Sequence, residues 1–344
     1  MKYGMRAAKV LVSAGLLAIL CSWVQWEDVL AIARRADAGW LCASVAMSFV
    51  LVAASCWKWQ ILLRLQGHVV PFGPLYRWYF IGYFYSNFLP SNVGGDVVRA
   101  WLAGRRIGSA STALVSVFAE RFTGLVFLLL MAMILPFTDR DLGRRPALWI
   151  PAAAAFAGLL TLAGLVQIWG AAARSARIRS VLHGLRRAVG AGTPGPRSVR
   201  WDRWAARVGG LVGRVKDLAF ELRTRPGAFA AVTGVTALFY GLTLVNVLVA
   251  YRAFGVVASA PGIARVLPAA LMVSMLPITI GSLGLAEGAY VFYFGLLGLG
   301  RELTLAVGLL LRVKVLLLGV VGLLAQSGEP VRIRPPGPGK GESA

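Results

Sequence analysis

The chain has 344 residues, 58% of them hydrophobic and only 15% charged, and its mean hydropathy is +0.71. That is too apolar for a water-soluble protein, so lipid is its main solvent. The formal net charge of +22 would suit nucleic acid, but the basic residues gather in connections between apolar stretches, a membrane pattern with no nucleic-acid partner expected.

Lys2, Arg6 and Lys9 precede the first apolar stretch. No small residue is well placed for cleavage, and Leu20 stands where a lipobox at Cys21 needs one, so the stretch reads as an uncleaved span with a cytoplasmic N-terminus. Windows of about 20 apolar residues, enough to cross about 30 Å of hydrocarbon, place six spans near 7–25, 39–63, 109–135, 148–170, 228–251 and 303–324. Cys21, Cys42 and Cys56 fall in the first two and read as small buried hydrophobes, without a disulfide framework. His68 and His183 lack companions at metal-ligand spacing, so neither a metal nor another cofactor is expected.

Two further apolar stretches are broken. The first runs over 78–89, stops at Pro90-Ser91-Asn92-Val93-Gly94-Gly95-Asp96 and resumes over 97–103, too short to cross. The second runs over 266–276, breaks at Pro277-Ile278-Thr279-Ile280-Gly281-Ser282-Leu283-Gly284 and continues over 285–299, as a kinked pass or a hairpin. Treating both as re-entrant hairpins puts 24 Lys and Arg on the cytoplasmic side against 8 outside, the bias expected of short connections. The expected fold is all-α integral membrane: six transmembrane helices and two oppositely oriented re-entrant broken-helix hairpins, an inverted repeat. It divides into an N-terminal membrane half, 1–170, with the hairpin at 78–103, and a basic cytoplasmic connection, 171–227. A C-terminal half, 228–326, follows with the hairpin at 266–299, then a disordered tail, 327–344. The expected location is a bacterial-type inner membrane with both termini cytoplasmic. Transporters often place the substrate site where two such breaks meet.

In the basic connection, Trp201, Trp204, Val208, Leu211, Val215, Leu218 and Leu222 recur at three- and four-residue steps, while Arg203 and Arg207 lie on other faces. One reading is a helix on the anionic cytoplasmic leaflet. The other is a helical hairpin packed on itself or on a partner chain.

A charge at the bilayer centre costs about 2.5–3.5 kcal/mol on insertion scales, so each one needs a partner, a cavity or a function. Glu120 and Arg121 lie inside the third span, Arg312 and Lys314 inside the last, and Asp96 and Glu287 follow the two breaks. Pro90, Gly94, Gly95, Pro277, Gly281 and Gly284 are the expected turn residues. A break frees backbone N–H groups at a new helix N-terminus, a site for phosphate, although a carboxylate there can instead cap the helix. Asp96 is open to both readings. In a zwitterionic lipid, carboxylates would meet an amine or carry protons while Arg121 and Arg312 meet phosphate, and Arg99 joins this candidate set. The alternative is an ion-pair network that only fixes helix packing. Lys58 is close enough to a span end to snorkel, and Asn87, Asn92 and Asn246 read as a polar path or as bonds between helices.

Three blocks carry a resemblance: Asn87-Phe88-Leu89-Pro90-Ser91-Asn92-Val93-Gly94-Gly95-Asp96-Val97-Val98-Arg99, then Glu120-Arg121-Phe122-Thr123-Gly124, then Leu276-Pro277-Ile278-Thr279-Ile280-Gly281-Ser282-Leu283-Gly284-Leu285-Ala286-Glu287-Gly288. In these the sequence resembles the transmembrane, flippase-like region of the lysylphosphatidylglycerol synthase family, and Arg312 is similar to that family's basic residue in the last span. The resemblance implies movement of a phosphate-bearing or other polar-headed lipid between leaflets. The family's C-terminal aminoacyltransferase domain does not follow, so a stand-alone member without lysyl transfer is expected. Ser282 departs from the second glycine of many relatives. Membrane lipids are the expected partners, and a homo-oligomer is left open. Two other classes compete. One is a membrane-embedded head-group transferase or hydrolase using Glu120, Glu287 or Asp96 as base, although no catalytic motif is found and no enzyme is expected. The other is a non-transporting partner of a cytoplasmic lipid-synthesis enzyme.

Overall fold

The computed structural model describes residues 26–88, 93–174, 196–276 and 278–326, and these form helices and short connections. In chain order the helices are α1 (Trp26–Arg34), α2 (Ala38–Leu65), α3 (Phe72–Phe88), α4 (Val93–Ile107), α5 (Ala110–Ile134) and the short α6 (Arg140–Gly143). Then come α7 (Pro146–Arg174), α8 (Pro196–Thr224), α9 (Pro226–Ala253), α10 (Ala260–Ser274), α11 (Leu285–Gly295) and α12 (Arg301–Gln326). Helices α2, α5, α9 and α12 are long and apolar enough to cross a membrane, and α7 carries a shorter apolar run over Pro146–Thr161. The protein is therefore an all-α, multi-pass membrane protein. The expected first span at 7–25, the tail at 327–344 and most of 171–195 lie outside the described residues.

Local chemistry sets the helix ends. The Asp37 carboxylate accepts from Trp40 N–H at 3.0 Å and Ser259 Oγ accepts from Gly262 N–H at 3.2 Å, each satisfying a free donor of a first turn. Gly108, at φ 73°, takes the left-handed conformation that ends α4, and Ser109 then caps α5.

The order long helix, hairpin, long helix occurs twice, as α2–α5 and α9–α12. Helices α2 and α9 run antiparallel: Asp37 N–H donates to the Ala253 carbonyl at 2.8 Å, and further along Ser44 Oγ meets Asn246 Oδ1 at 3.3 Å. Helices α3 and α4 fold back on each other, with Gly82 and Gly95 so close that a Cβ on Gly95 would strike the Gly82 carbonyl and Ser86 Oγ. In α10–α11 the fold-back brings Leu297 against Gly262. The second break is therefore a hairpin turn and not a kinked pass. Gly94 and Gly95 do not form the first turn: they lie in the opening turn of α4, where Gly95 permits the close approach of α3. Pro90 and Pro277 are outside the described residues.

Helix α12 serves as a ruler for both hairpins. Arg77, near the base of the first, donates to the Ala325 carbonyl at 2.9 and 2.6 Å, whereas Asn87, at its tip, donates to the Val315 carbonyl at 3.3 Å. From the other end, Tyr290 of the second hairpin packs on Gly308, and the tip carbonyls of Gly281 and Ser282 accept from Arg312. The hairpins thus lie along opposite halves of α12 and point tip to tip, meeting near its middle turn at 312–315.

Over its described half the basic helix packs on the bundle, a covering that neither sequence reading named. Leu218 is buried, and Leu211, Val215 and Leu222 pack with it on Leu62, Val115 and Val232 of the bundle. Arg214 donates to Thr112 Oγ1 at 2.6 Å. From Leu211 to Leu222 the apolar stripe is a docking face for α2, α5 and α9. The side chains of Trp201, Arg203, Trp204 and Arg207 lie outside the described residues.

Candidate functional site

Each hairpin supplies a carboxylate from the opening turn of its second arm, and the following long helix supplies the arginine that meets it. Asp96 of α4 accepts from Arg121 of α5: Nε to Oδ2 at 2.9 Å and Nη2 to Oδ1 at 2.9 Å. Glu287 of α11 accepts at Oε1 from Arg312 Nε of α12 at 2.8 Å, and Arg312 Nη2 stands 2.7 Å from the same oxygen in an ion pair. Both pairs are 25 residues apart in sequence. This shared register is the clearest mark of the repeat at the level of side chains.

The pairs are built differently. Asp96 also accepts from Arg99 Nε at 3.0 Å, and among the described residues only guanidinium groups are seen to donate to its carboxylate. Among the described residues Asp96 is an ion-pairing group. Glu287 both pairs and caps: its Oε2 accepts from Gly284 N–H at 2.9 Å at the start of α11. The turn before it is left-handed at Gly281 (φ 58°), Ser282 (φ 58°) and Gly284 (φ 76°), and Ser282 Oγ donates to the Ser274 carbonyl at 2.7 Å. Ser282 so occupies a conformation that costs an L-residue energy, and its hydroxyl bond offsets part of that cost.

Arg99 is almost wholly enclosed, at 1% exposure. Its guanidinium carbon lies 4.4 Å from the Tyr79 ring centroid and 5.1 Å from that of Trp59, and Nη1 stands 2.6 Å from Glu120 Oε2. That last contact is an ion pair without hydrogen-bond geometry, and among the described residues Nη2 has no hydrogen-bond partner. Tyr79 donates to Glu120 Oε1 at 2.6 Å. Arg99 therefore braces Asp96 and Glu120 from behind.

In front of this brace lies a cavity of about 380 Å³, at the low end of small-molecule sites. Glu120 and Arg121 line it from α5, Glu287 from α11, Arg312 from α12, and Lys58 from α2. The structure brings these together with Asp96 and Arg99 directly behind. Lys58 does not snorkel: it is 5% exposed and turned toward the interior. A second, apolar cavity of about 600 Å³ lies between α5, α8 and α9, lined by Phe118, Phe122, Phe127, Leu218 and Phe229 with Arg223 among its wall residues. The Phe127 ring stacks on Tyr240 at 5.6 Å, and Tyr240, on the polar side, donates to the Gly124 carbonyl at 2.9 Å. That ring pair stands between the two spaces.

Lys314 sits apart from both cavities, donating to Ser44 Oγ at 2.7 Å and Asn246 Oδ1 at 2.8 Å. Asn246 and Asn87 are thus bonds between helices, and Asn92 is outside the described residues.

Two proteins of Methanothermobacter thermautotrophicus, each named "UPF0104 membrane protein", are similar to this chain. One is 24% identical over 291 residues, 81% of either chain, and the other 24% identical over 294 residues, 78% of either. The family described as "Lysylphosphatidylglycerol synthase TM region" matches residues 6–322, which include both hairpins and every charge of the cavity wall. The chain belongs to the lysylphosphatidylglycerol synthase TM region family.

Proposed function

We propose that this protein moves a phosphate-bearing lipid between leaflets of the cytoplasmic membrane, with the head group passing through the polar cavity. The observation that carries the reading is the meeting of two oppositely directed hairpin tips and five ionisable side chains around one space, level with the middle of α12. Buried charges at mid-membrane depth mark substrate paths, and broken helices provide unpaired backbone groups there. The apolar space beyond Phe127 and Tyr240 is of a kind that accepts acyl chains while the head group is held. In this reading both hairpins are re-entrant, the base of α3–α4 is cytoplasmic, and the base of α10–α11 faces outward.

Leaflet-resolved lipid analysis of cells with and without the protein tests this. The expected result is a phosphate-bearing lipid whose distribution between leaflets shifts on deletion while its total amount holds. A fall in the total with an unchanged leaflet ratio would point instead to head-group chemistry.

A further inference from the structure

The charges of the polar site pair off with one left over. Arg121 and Arg99 meet Asp96, Arg99 also meets Glu120, and Arg312 meets Glu287. Counting Lys58, Arg99, Arg121 and Arg312 against Asp96, Glu120 and Glu287 leaves one positive charge, and among the described residues Lys58 is the cation of this set for which no hydrogen bond or ion pair is seen. It is more than nine-tenths buried, and no acceptor for its Nζ is found among the described residues. The amine reaches across from α2 to α5: a Cβ added at Gly124 would lie 3.5 Å from it, and both residues line the cavity. The glycine leaves the nitrogen uncovered on that side.

A buried ammonium must find an acceptor or lose the benefit of its charge. The other buried lysine supplies the contrast. Lys314 is equally enclosed, yet it is tied to Ser44 and Asn246 and lines no cavity. One lysine is a structural pin, and the other points its charge at open space.

We propose that Lys58 is the anion-selecting residue of the cavity, binding a phosphate oxygen of a lipid head group and favouring net-anionic over zwitterionic lipids. This rests on the transport reading above and narrows its substrate class. Because the arginines already face protein carboxylates, the phosphate is assigned to Lys58. A zwitterionic head group would bring its own cation into a site that already carries a net positive charge, so it is held less well.

The test compares wild type with Lys58→Gln and Lys58→Arg in vesicles carrying tail-labelled phosphatidylglycerol or phosphatidylcholine. Wild type is expected to move phosphatidylglycerol faster. Lys58→Gln should cut that preference about tenfold, as loss of one charged hydrogen bond implies, and Lys58→Arg should keep most of it. An unchanged preference in Lys58→Gln would overturn the assignment while leaving transport standing. If wild type moves neither lipid, the transport reading fails instead. Lys58 is then judged by native mass spectrometry of retained lipid: equal phosphatidylglycerol retention by wild type and Lys58→Gln overturns the proposal, and selective loss supports it. If Lys58→Gln does not fold, Lys58→Met takes its place, and failure of both to fold while Lys58→Arg folds but shows no anion preference also overturns it. Inorganic phosphate is added as a competitor: inhibition at millimolar concentration without any lipid preference would overturn the lipid source in favour of free phosphate.

Discussion

Asp96 and Glu287 hold equivalent places in the two repeats, yet their carboxylates face different partners, and substitution should separate them. In Glu287→Gln the amide oxygen can still accept from Gly284 N–H, so the turn survives while the charge opposite Arg312 is gone. The expectation is lipid movement lost, with about 1.5–3 kcal/mol of stability going with the ion pair while the cap is kept. Glu287→Ala removes the cap as well and should cost a further 0.5–2 kcal/mol or so, read as a drop in thermal stability in detergent. Asp96→Asn leaves Arg99 and Arg121 without their shared anion, and about 1.5–3 kcal/mol of stability should go with it. If Glu287→Gln lowered stability as much as Glu287→Ala, the separation of cap from charge would be mistaken. The charged residues themselves were visible in the sequence, because an ionisable group inside an apolar run stands out. Which partner each one takes was not visible, since Asp96 and Glu287 follow their glycines in much the same way. Lys58 was misread for the same reason: distance from a helix end says nothing about which way a side chain turns.

At the scale of helices, the hairpins depend on glycines that let backbones touch. A Cβ at Gly322 would strike the Phe80 carbonyl, and one at Gly95 the Gly82 carbonyl. Gly322→Leu should therefore push α3 off α12, at a cost of about 1–3 kcal/mol, whereas Gly158→Ala, which meets nothing within 4 Å, should be silent in the same melting assay. The Lys314 pin gives a second prediction. Asn246→Leu strips one acceptor from a buried cation and should destabilise, and adding Lys314→Met should restore much of the loss because the lone charge is then gone. An additive double variant would contradict the pin. Long apolar periods made α2, α5, α9 and α12 legible to within a few residues. The packing of the α8 stripe was not, because a three- and four-residue pattern shows that a face is apolar without showing whether lipid, a partner or the chain's own bundle covers it.

For the whole molecule, the hairpins lie along opposite halves of α12 and meet tip to tip, and the proposed inversion across the membrane can be tested by labelling. Single cysteines placed at the hairpin bases, His68→Cys for the first and Ser259→Cys for the second, should react with an impermeant maleimide from opposite sides of the membrane, once Cys21, Cys42 and Cys56 have been replaced. Reaction from one shared side would remove the inversion and with it the meeting of two tips at mid-depth. Function is tested most directly by reconstituting purified protein and timing the appearance of labelled phosphatidylglycerol in the opposite leaflet, for wild type and for Glu287→Gln in parallel. The account predicts crossing well above protein-free vesicles for wild type and near that background for the variant. Folded wild-type protein that moves no lipid, or a variant that moves it at the wild-type rate, would contradict it.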